Sequence, residues 1–456
     1  MCTWFWGDDL IKTNIFKFTP KVILFALMIY ISLNISYIYG AEDNTQIYSN
    51  NVIAIDAISG NILFEKDAFD KVYPASTTKI LTAILAIENL NLDDTVVCSK
   101  NAVYSTPIGS SSMYLRVGET LSVKDLLYGL MLQSGNDAAN VLAEQVSGNI
   151  PEFVKLMNKK LREIGCNSTN FTNAHGFHDD DHYTTPYDMA KLMQYAMKND
   201  TFREIVETKY YEIAPTDKTS ETRYYNNTDL LLNSKSKDMY YEYCLGGKTG
   251  YTEEARGTFV GYGEKDGKLV IVATFDGSQN ISGKQARFLD SITLFDYSFL
   301  NYTQNNLLEK SKFSFELKDE KNSKIYKIGL DKDLSALTKS GDKINVNYNV
   351  DINNVNLENI KDNDIVGKIS INAKGDNNSD INLNGNLVCI GISNYTDYSV
   401  LLNKTIKIIL IILLVIILFL ILSKIIKNRP RKANKSYNKI YGNSNRRYPS
   451  RLKYYK

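Results

Sequence analysis

The chain has 456 residues, of which 44% are hydrophobic and 23% are charged, so it can bury a large core and form more than one domain. A formal net charge of +2 gives it no general affinity for polyanions, and we therefore expect no nucleic-acid partner. Its cysteines are too few and too scattered for a disulfide framework, although one bridge among the last four is left open: Cys2, Cys98, Cys166, Cys244 and Cys389.

The N-terminal region has the pattern of a targeting segment. Three lysines precede an apolar stretch over residues 22–38. We interpret residues 1–41 as a secretory signal peptide with cleavage near Gly40 or Ala41. Because the bulky Tyr39 stands where a small residue is expected, an uncleaved N-terminal anchor is the alternative.

The next pattern is a hairpin followed by a helix start. Residues 49–64 alternate as two strands around a glycine turn. The stretch 74–79, Pro-Ala-Ser-Thr-Thr-Lys, then leads into an apolar run over 80–87 with helical spacing, which predicts the first turn of a buried helix. Ser76 and Lys79 would share one face, where the amine can reach the hydroxyl that it would deprotonate. Since S-x-x-K is frequent by chance, the alternative is a helix cap and a solvated lysine.

Two later triplets complete an ordered set. Ser134-Gly135-Asn136 follows a helix predicted over 123–131, and we expect a turn there in which the glycine allows both polar side chains to face one cleft. Lys248-Thr249-Gly250 falls on the edge strand of a predicted antiparallel meander that continues to residue 275. The order S-x-x-K, S-x-N, K-T-G is typical of penicillin-binding proteins and class A β-lactamases.

Other candidate sites are weaker. All three histidines of the chain lie with three aspartates between residues 173 and 182. Because no H-E-x-x-H pattern or second ligand group accompanies them, we expect a solvated loop and no metal. Cys244, four residues before Lys248, is a conceivable nucleophile, but the serine is favoured.

The C-terminal part has a different texture. A helix over 286–300 carries Arg287, and beyond residue 308 the apolar residues alternate with period two between Asn, Asp and Gly turns. We interpret 308–400 as a small all-β stalk domain without catalytic groups. It would lie between the membrane and a catalytic domain over 44–302.

A membrane anchor is predicted at the end of the chain. Residues 408–422 form an unbroken apolar run with no polar face, which predicts a transmembrane helix over 404–426. The tail over 427–456 is basic and contains no acidic residue, so the positive-inside tendency places it in the cytoplasm. The chain before the helix would then be extracytoplasmic, with the cell membrane as a partner.

Residues 49–300 resemble the D-alanyl-D-alanine carboxypeptidases, which are low-molecular-mass penicillin-binding proteins. The resemblance rests on five stretches: Ala75-Ser76-Thr77-Thr78-Lys79, Ser111-Ser112-Met113-Tyr114-Leu115, Ser134-Gly135-Asn136-Asp137-Ala138-Ala139, Asn173-Ala174-His175-Gly176 and Gly247-Lys248-Thr249-Gly250. It implies an α+β, penicillin-binding protein/β-lactamase-like transpeptidase fold. In that fold an antiparallel sheet flanked by helices lies beside a helical subdomain.

The resemblance also implies an activity. The chain would be a serine-type carboxypeptidase that removes the terminal D-alanine of peptidoglycan stem pentapeptides, with no cofactor and with β-lactams as covalent inhibitors. Ser76 would be acylated, Lys79 would act as its base, Ser134 and Lys248 would return the proton, and Asn136 would bind the peptide carbonyl.

Substrate binding is implied in the same way. The backbone N–H groups of Ser76 and Tyr251 would form an oxyanion hole. Thr249 and Arg287 would recognise the terminal carboxylate. Gly250, which follows Thr249, would belong to the same substrate-binding strand.

Two other functions stay open at this point. Glu163 and Asn167 have the spacing of a β-lactamase motif, although the carboxypeptidase pattern accounts for the segment. A non-catalytic cell-wall scaffold is the second alternative, against which three intact motifs argue.

Overall fold

The computed structural model describes residues 46–427, apart from 237, 278–279, 320, 353–358, 377–379 and 395–397. The expected signal peptide or anchor over 1–41 and the basic tail after Lys427 lie outside the described residues.

The elements alternate between short strands and helices in the first 300 residues and are mostly strands thereafter. The strands are β1 (Asn51–Asp56), β2 (Ile62–Lys66), β3 (Thr95–Val97), β4 (Thr120–Ser122), β5 (Tyr210–Ile213), β6 (Arg223–Asn226), β7 (Cys244–Thr252), β8 (Arg256–Lys265), β9 (Lys268–Phe275), β10 (Asn280–Ile281), β11 (Lys284–Gln285), β12 (Tyr302–Leu308), β13 (Ser314–Asp319), β14 (Lys324–Leu330), β15 (Leu334–Lys339), β16 (Asn345–Asp351), β17 (Ile365–Lys374) and β18 (Asp380–Asn394). The helices are α1 (Lys79–Asn89), α2 (Lys100–Tyr104), α3 (Val123–Leu132), α4 (Asn136–Ser147), α5 (Ile150–Glu163), α6 (Pro186–Ala196), α7 (Asp200–Glu207), α8 (Ala286–Asn301) and α9 (Tyr398–Lys427).

A five-stranded antiparallel sheet is the frame of the first 300 residues. Its order is β2-β1-β9-β8-β7, so β7 lies at an edge, as predicted. Both faces of its centre are covered. On β1, Ile53 and Ile55 pack in the cluster that includes α1 and α6, whereas Val52 and Ala54 pack with Phe288 and the rest of α8. This alternation is the period of two that the sequence displays.

A helical subdomain surrounds α1. Every residue from Lys79 to Ala86 is buried, and α1 packs against α3, α4 and α6. The helix is therefore apolar around most of its circumference, in contrast with the amphipathic α5. Four flanking helices begin at side chains that accept a hydrogen bond from the first turn: Ser122, Asn149, Thr185 and Asn199. The predicted sheet, flanking helices and helical subdomain are confirmed.

The segment after α8 is all-β and ends in a long helix. Strands β16, β17 and β18 pair antiparallel, and β17 alternates buried and more exposed residues. A second compact unit has 315–319, 321–328, 359–364, 389–394 and 398–427 as its described residues. Within it, residues 401–427 of α9 form an exposed apolar helix that is long enough to span a membrane. The domain limits at 302 and 308 stay predictions.

Candidate active site

Ser76 lies at the expected start of the buried helix, on a 3₁₀ turn that runs from Ala75 to Thr78. The turn begins at Pro74 without a side-chain cap, and α1 starts only at Lys79. In a 3₁₀ turn residues three apart are eclipsed. Lys79 therefore stands directly over Ser76, and its Nζ is 2.9 Å from the serine Oγ.

Lys79 is enclosed and surrounded by oxygen atoms. Besides Ser76, its Nζ contacts Oδ1 of Asn136 at 2.6 Å and the carbonyl oxygen of His175 at 2.8 Å. The residue has no exposed surface. Burial, followed by repulsion from Lys248, holds the pKa of Lys79 well below its ordinary value of 10.5. The neutral form of the amine is therefore favoured more than it would be in water.

The Ser134-Gly135-Asn136 turn lies between α3 and α4, as predicted. The reason for its glycine differs from the expected one. Ser134, not the glycine, has a left-handed backbone with φ of 61°, whereas Gly135 has φ of −60°. A Cβ on Gly135 would lie 2.8 Å from Cγ of Met113, so close packing requires the glycine. A left-handed serine is strained, typically by about 1–3 kcal/mol, and such strain concentrates at functional sites. The Ser134 Oγ is buried and has no hydrogen-bond partner within the described structure.

Asp137 holds the wall of the site, which the motifs alone did not indicate. Its buried carboxylate accepts hydrogen bonds from the backbone N–H groups of Met113 and Leu115 and from the Ser112 hydroxyl. Asp137 directly follows Asn136 in sequence, and its hydrogen bonds fix the loop over residues 111–115. The only signal in the sequence was the proximity of this acid to the triplet.

Strand β7 brings the third motif close to Ser76. A Cβ on Gly250 would lie 2.8 Å from the backbone nitrogen of Ser76, so a glycine is required for this approach. Lys248 is buried, and its Nζ donates to the carbonyl oxygen of Thr249 at 2.9 Å. Burial, followed by the Arg287 charge, lowers the pKa of Lys248 to about 7. The Thr249 hydroxyl is 2.7 Å from the hydroxyl of Thr228.

Arg287 is partly buried, whereas Tyr251 is exposed. Arg287 donates to the carbonyl oxygen of Gly250 at 2.6 Å and to Oε1 of Gln285, and it thereby fastens α8 to β7. Tyr251 is 65% exposed, so only its backbone is held by the sheet.

These residues meet at one cavity of about 700 Å³. Its lining includes members of all three motifs: Ser76, Ser134, Asn136, Thr249, Gly250, Tyr251 and Arg287. Lys79 and Lys248 lie beneath this lining. A serine, a tuned lysine and several donors around an open cavity suit acyl transfer to a peptide.

Comparison with known proteins agrees with this geometry. Residues 39–279 match the family model described as D-alanyl-D-alanine carboxypeptidase. The chain belongs to the D-alanyl-D-alanine carboxypeptidase family.

Relatives and solved structures support the same assignment. The chain is 30% identical to the D-alanyl-D-alanine carboxypeptidase DacF of Bacillus subtilis, over 65% of this chain and 74% of that one. The structure of penicillin-binding protein 5 from Haemophilus influenzae matches with a TM-score of 0.60 and 26% identity, covering 76% of this chain and 98% of that one. The structure of a Streptomyces DD-transpeptidase matches with a TM-score of 0.51 and 34% identity, covering 56% and 98%. The fold is therefore the α+β penicillin-binding-protein transpeptidase fold, followed by a β segment and a long apolar helix.

The chain is accordingly a serine-type carboxypeptidase that acts on peptidoglycan. In this carboxypeptidase the segment 173–182 is only partly the solvated loop that we expected, because residues 179–181 are exposed whereas two of its histidines are buried. His175 and His182 are 6% and 2% exposed, because the segment folds back against the 3₁₀ turn. Among the described residues no three His, Cys, Asp or Glu side chains are grouped to hold a metal.

The four cysteines within the described residues of the carboxypeptidase are buried thiols. Cys98, Cys166, Cys244 and Cys389 are all free, so the question of a bridge among them is answered. Burial, with the nearby Asp229, raises the pKa of Cys244 well above its ordinary value. A thiol that stays protonated is a poor nucleophile, which argues against a cysteine mechanism.

The β-lactamase spacing has no counterpart at the site. Glu163 ends α5 with its side chain half exposed and pairs with Lys159 at 3.8 Å. It does not line the cavity of the carboxypeptidase. Its spacing to Asn167 is therefore a coincidence of sequence.

Proposed function

We propose that Ser76 is the nucleophile and Lys79 its general base in removing the terminal D-alanine from stem pentapeptides. The observation that carries this proposal is the set of contacts around Lys79. A neutral amine has two N–H donors and one lone pair. Two of its neighbours, Oδ1 of Asn136 and the carbonyl of His175, can only accept, and the third, the Ser76 hydroxyl, can donate. The neutral amine satisfies all three neighbours with its lone pair toward the Ser76 hydroxyl, and burial, followed by repulsion from Lys248, lowers the pKa of Lys79 and favours this form.

The acylation step follows from that arrangement. The Ser76 Oγ attacks the carbonyl carbon of the penultimate D-alanine while its proton passes to Lys79. The backbone N–H groups of Ser76 and Tyr251 stabilise the resulting oxyanion, and each such donor typically contributes about 3 kcal/mol. The C–N bond then breaks, and the proton that Lys79 accepted passes through Ser134, with the help of Lys248, to the leaving amine of D-alanine, which leaves Lys79 neutral again. The unpartnered Oγ of Ser134 is free to join this relay.

Deacylation completes the cycle. Water attacks the ester carbon, loses a proton to a base at the site, and releases the shortened peptide as a carboxylate. Ser76 recovers its proton, so the enzyme returns to its starting state.

Substrate recognition rests on β7 and its neighbours. Because Oδ1 of Asn136 is taken by Lys79, the Nδ2 group of this residue is the part that can bind the peptide carbonyl. The Thr249 hydroxyl, with the positive charges of Lys248 and Arg287 behind it, suits the terminal carboxylate of the peptide. Penicillin presents a similar carboxylate and acyl group, so we expect it to acylate Ser76 and to dissociate slowly.

The long apolar helix supports a membrane location. Residues 401–427 would extend about 40 Å as a helix, enough to cross the hydrocarbon core. We infer that this helix anchors the enzyme with the catalytic residues outside the cell and the basic tail in the cytoplasm.

Release of D-alanine tests the reaction. The full-length enzyme in detergent should release D-alanine from a pentapeptide ending in D-Ala-D-Ala, and Ser76→Ala should release none. Ser105→Ala, the same change at an exposed serine beside α2, serves as the matched control and should match the wild type. Release by Ser76→Ala would contradict the nucleophile, and no release by the wild type would contradict the substrate.

A further inference from the structure

The carbonyl of Ala75, immediately before the nucleophile, is held by a hydrogen bond that the proposed catalytic roles do not include. Thr78 donates its hydroxyl to this carbonyl at 2.9 Å. Both Thr78 and Ala75 are buried. Ala75 has φ of 48°, a left-handed conformation that residues other than glycine adopt only when their surroundings enforce it.

His182 determines which way the Thr78 hydroxyl points. The Nδ1 of His182 accepts the backbone N–H of Thr172 at 3.0 Å, so in the neutral ring the proton is on Nε2. That Nε2 is 2.9 Å from the Thr78 Oγ1 and donates to it. The single proton of the threonine is then left for the Ala75 carbonyl.

The ring itself is fixed in place. His182 is 2% exposed and stacks on Phe171 with ring centroids 4.7 Å apart. Burial, together with His178 and Lys79, lowers the pKa of His182 to about 3, so the ring is neutral throughout the physiological range. Gly176 covers the bond from the other side, since a Cβ there would overlap the Ala75 carbonyl oxygen.

The direction of this carbonyl also sets the direction of the N–H of Ser76. The two groups belong to one peptide unit, which is planar and trans, so they point in opposite directions. The nitrogen of Ser76 faces Gly250 of β7, where the proposed oxyanion hole lies.

We propose that the hydrogen-bonded chain from His182 through Thr78 to the Ala75 carbonyl is a positioning device that aims the Ser76 N–H at the oxyanion. This inference rests on the proposed function, since it assigns a role in acylation of Ser76. Thr78 and His182 are positioning residues, because neither touches the reacting atoms.

The chain offers a matched pair of variants. Thr78→Val removes the hydroxyl with little change of shape. Thr77→Val makes the same change at an equally buried residue, whose hydroxyl donates to the carbonyl of Pro74 at 2.7 Å. That carbonyl belongs to the preceding peptide unit and also accepts a hydrogen bond from Thr258 at 3.1 Å.

Penicillin labelling of the full-length enzyme in detergent separates positioning from folding. The fraction of enzyme that is finally labelled measures how many molecules are folded. The acylation rate constant measures how fast each folded site reacts. Thr78→Val should label fully but at least tenfold more slowly, because small displacements of catalytic groups have effects of that order. Thr77→Val should label at the wild-type rate.

Other outcomes have defined meanings. Full labelling of Thr78→Val at the wild-type rate, or an equal slowing of Thr77→Val, would overturn the proposal. Failure of the wild type to label would instead contradict the proposed function, and this inference with it. If Thr78→Val does not fold, His182→Gln, which retains a donor, should acylate faster than His182→Leu, and equal rates would overturn the proposal.

Discussion

Lys248 should lower the free energy of unfolding of the enzyme, and the shift of its pKa gives the size of this effect. Its pKa is about 7, compared with an ordinary value of 10.5. At 1.36 kcal/mol per pKa unit, burying the charged form costs about 5 kcal/mol. Replacement by methionine, which is similar in length and uncharged, removes this cost.

The pH dependence gives the test its sign. Near pH 6 Lys248 is protonated in both the folded and the unfolded chain, and the full cost of about 5 kcal/mol applies. Between pH 7 and 10.5 only the unfolded chain retains the proton, so the stability of the wild type rises with pH and the cost falls to about 2 kcal/mol at pH 9.

Urea unfolding followed by circular dichroism measures the difference. We expect Lys248→Met to be about 2–5 kcal/mol more stable than the wild type at pH 6, and the gap at pH 9 to be less than half as large. Lys124→Met, at an exposed lysine on α3, controls for the loss of one charge and should change stability little. A Lys248→Met enzyme that is no more stable at pH 6, or whose gap does not shrink with pH, would refute the reasoning.

Three further predictions concern the surroundings of the site. Gly176→Ala should lower both the melting temperature and penicillin labelling, because its Cβ would overlap the Ala75 carbonyl; an unchanged melting temperature would contradict this. Arg223→Met should cost about 3–5 kcal/mol in urea unfolding, since it leaves the fully buried Glu119 carboxylate without the cation 2.8 Å away, and a cost below about 1 kcal/mol would contradict the pairing. Acylation should slow as the pH falls, because Lys79 becomes protonated. Burial and then Lys248 lower the pKa of Lys79, so Lys248→Met should move the acid limb of the pH–rate profile to higher pH. An acid limb that stays in place would argue against the coupling between the two lysines.

The sequence was informative wherever chemistry demands particular residue types in order. The three motifs, the edge position of Lys248 and the helix that carries Arg287 followed from spacing and periodicity. Caps such as Ser122 and Thr185 marked the helix starts for a local reason, because a hydroxyl satisfies a free N–H in the first turn.

The details that the sequence did not reveal depend on distant contacts. The turn at Ser76 is 3₁₀ and tightly packed against Gly250, about 170 residues away, and no local pattern reports that contact. His182 was expected in solvent, because a polar run looks the same whether its partners are water or a buried Thr78 that is 104 positions distant. The left-handed φ of Ser134, in the turn between α3 and α4, likewise has no local signal in the sequence, since serine seldom adopts this conformation.

The site of the covalent adduct tests the central claim most directly. After penicillin treatment and trypsin digestion, Ser76 lies in the peptide 72–79 and Ser134 in the peptide 125–155, so mass spectrometry distinguishes the two serines. We predict that the added mass is on the peptide 72–79, at Ser76, and that it is absent from Ser76→Ala. An adduct on the peptide 125–155, or none on a folded wild-type enzyme, would contradict the assignment of Ser76 as the nucleophile.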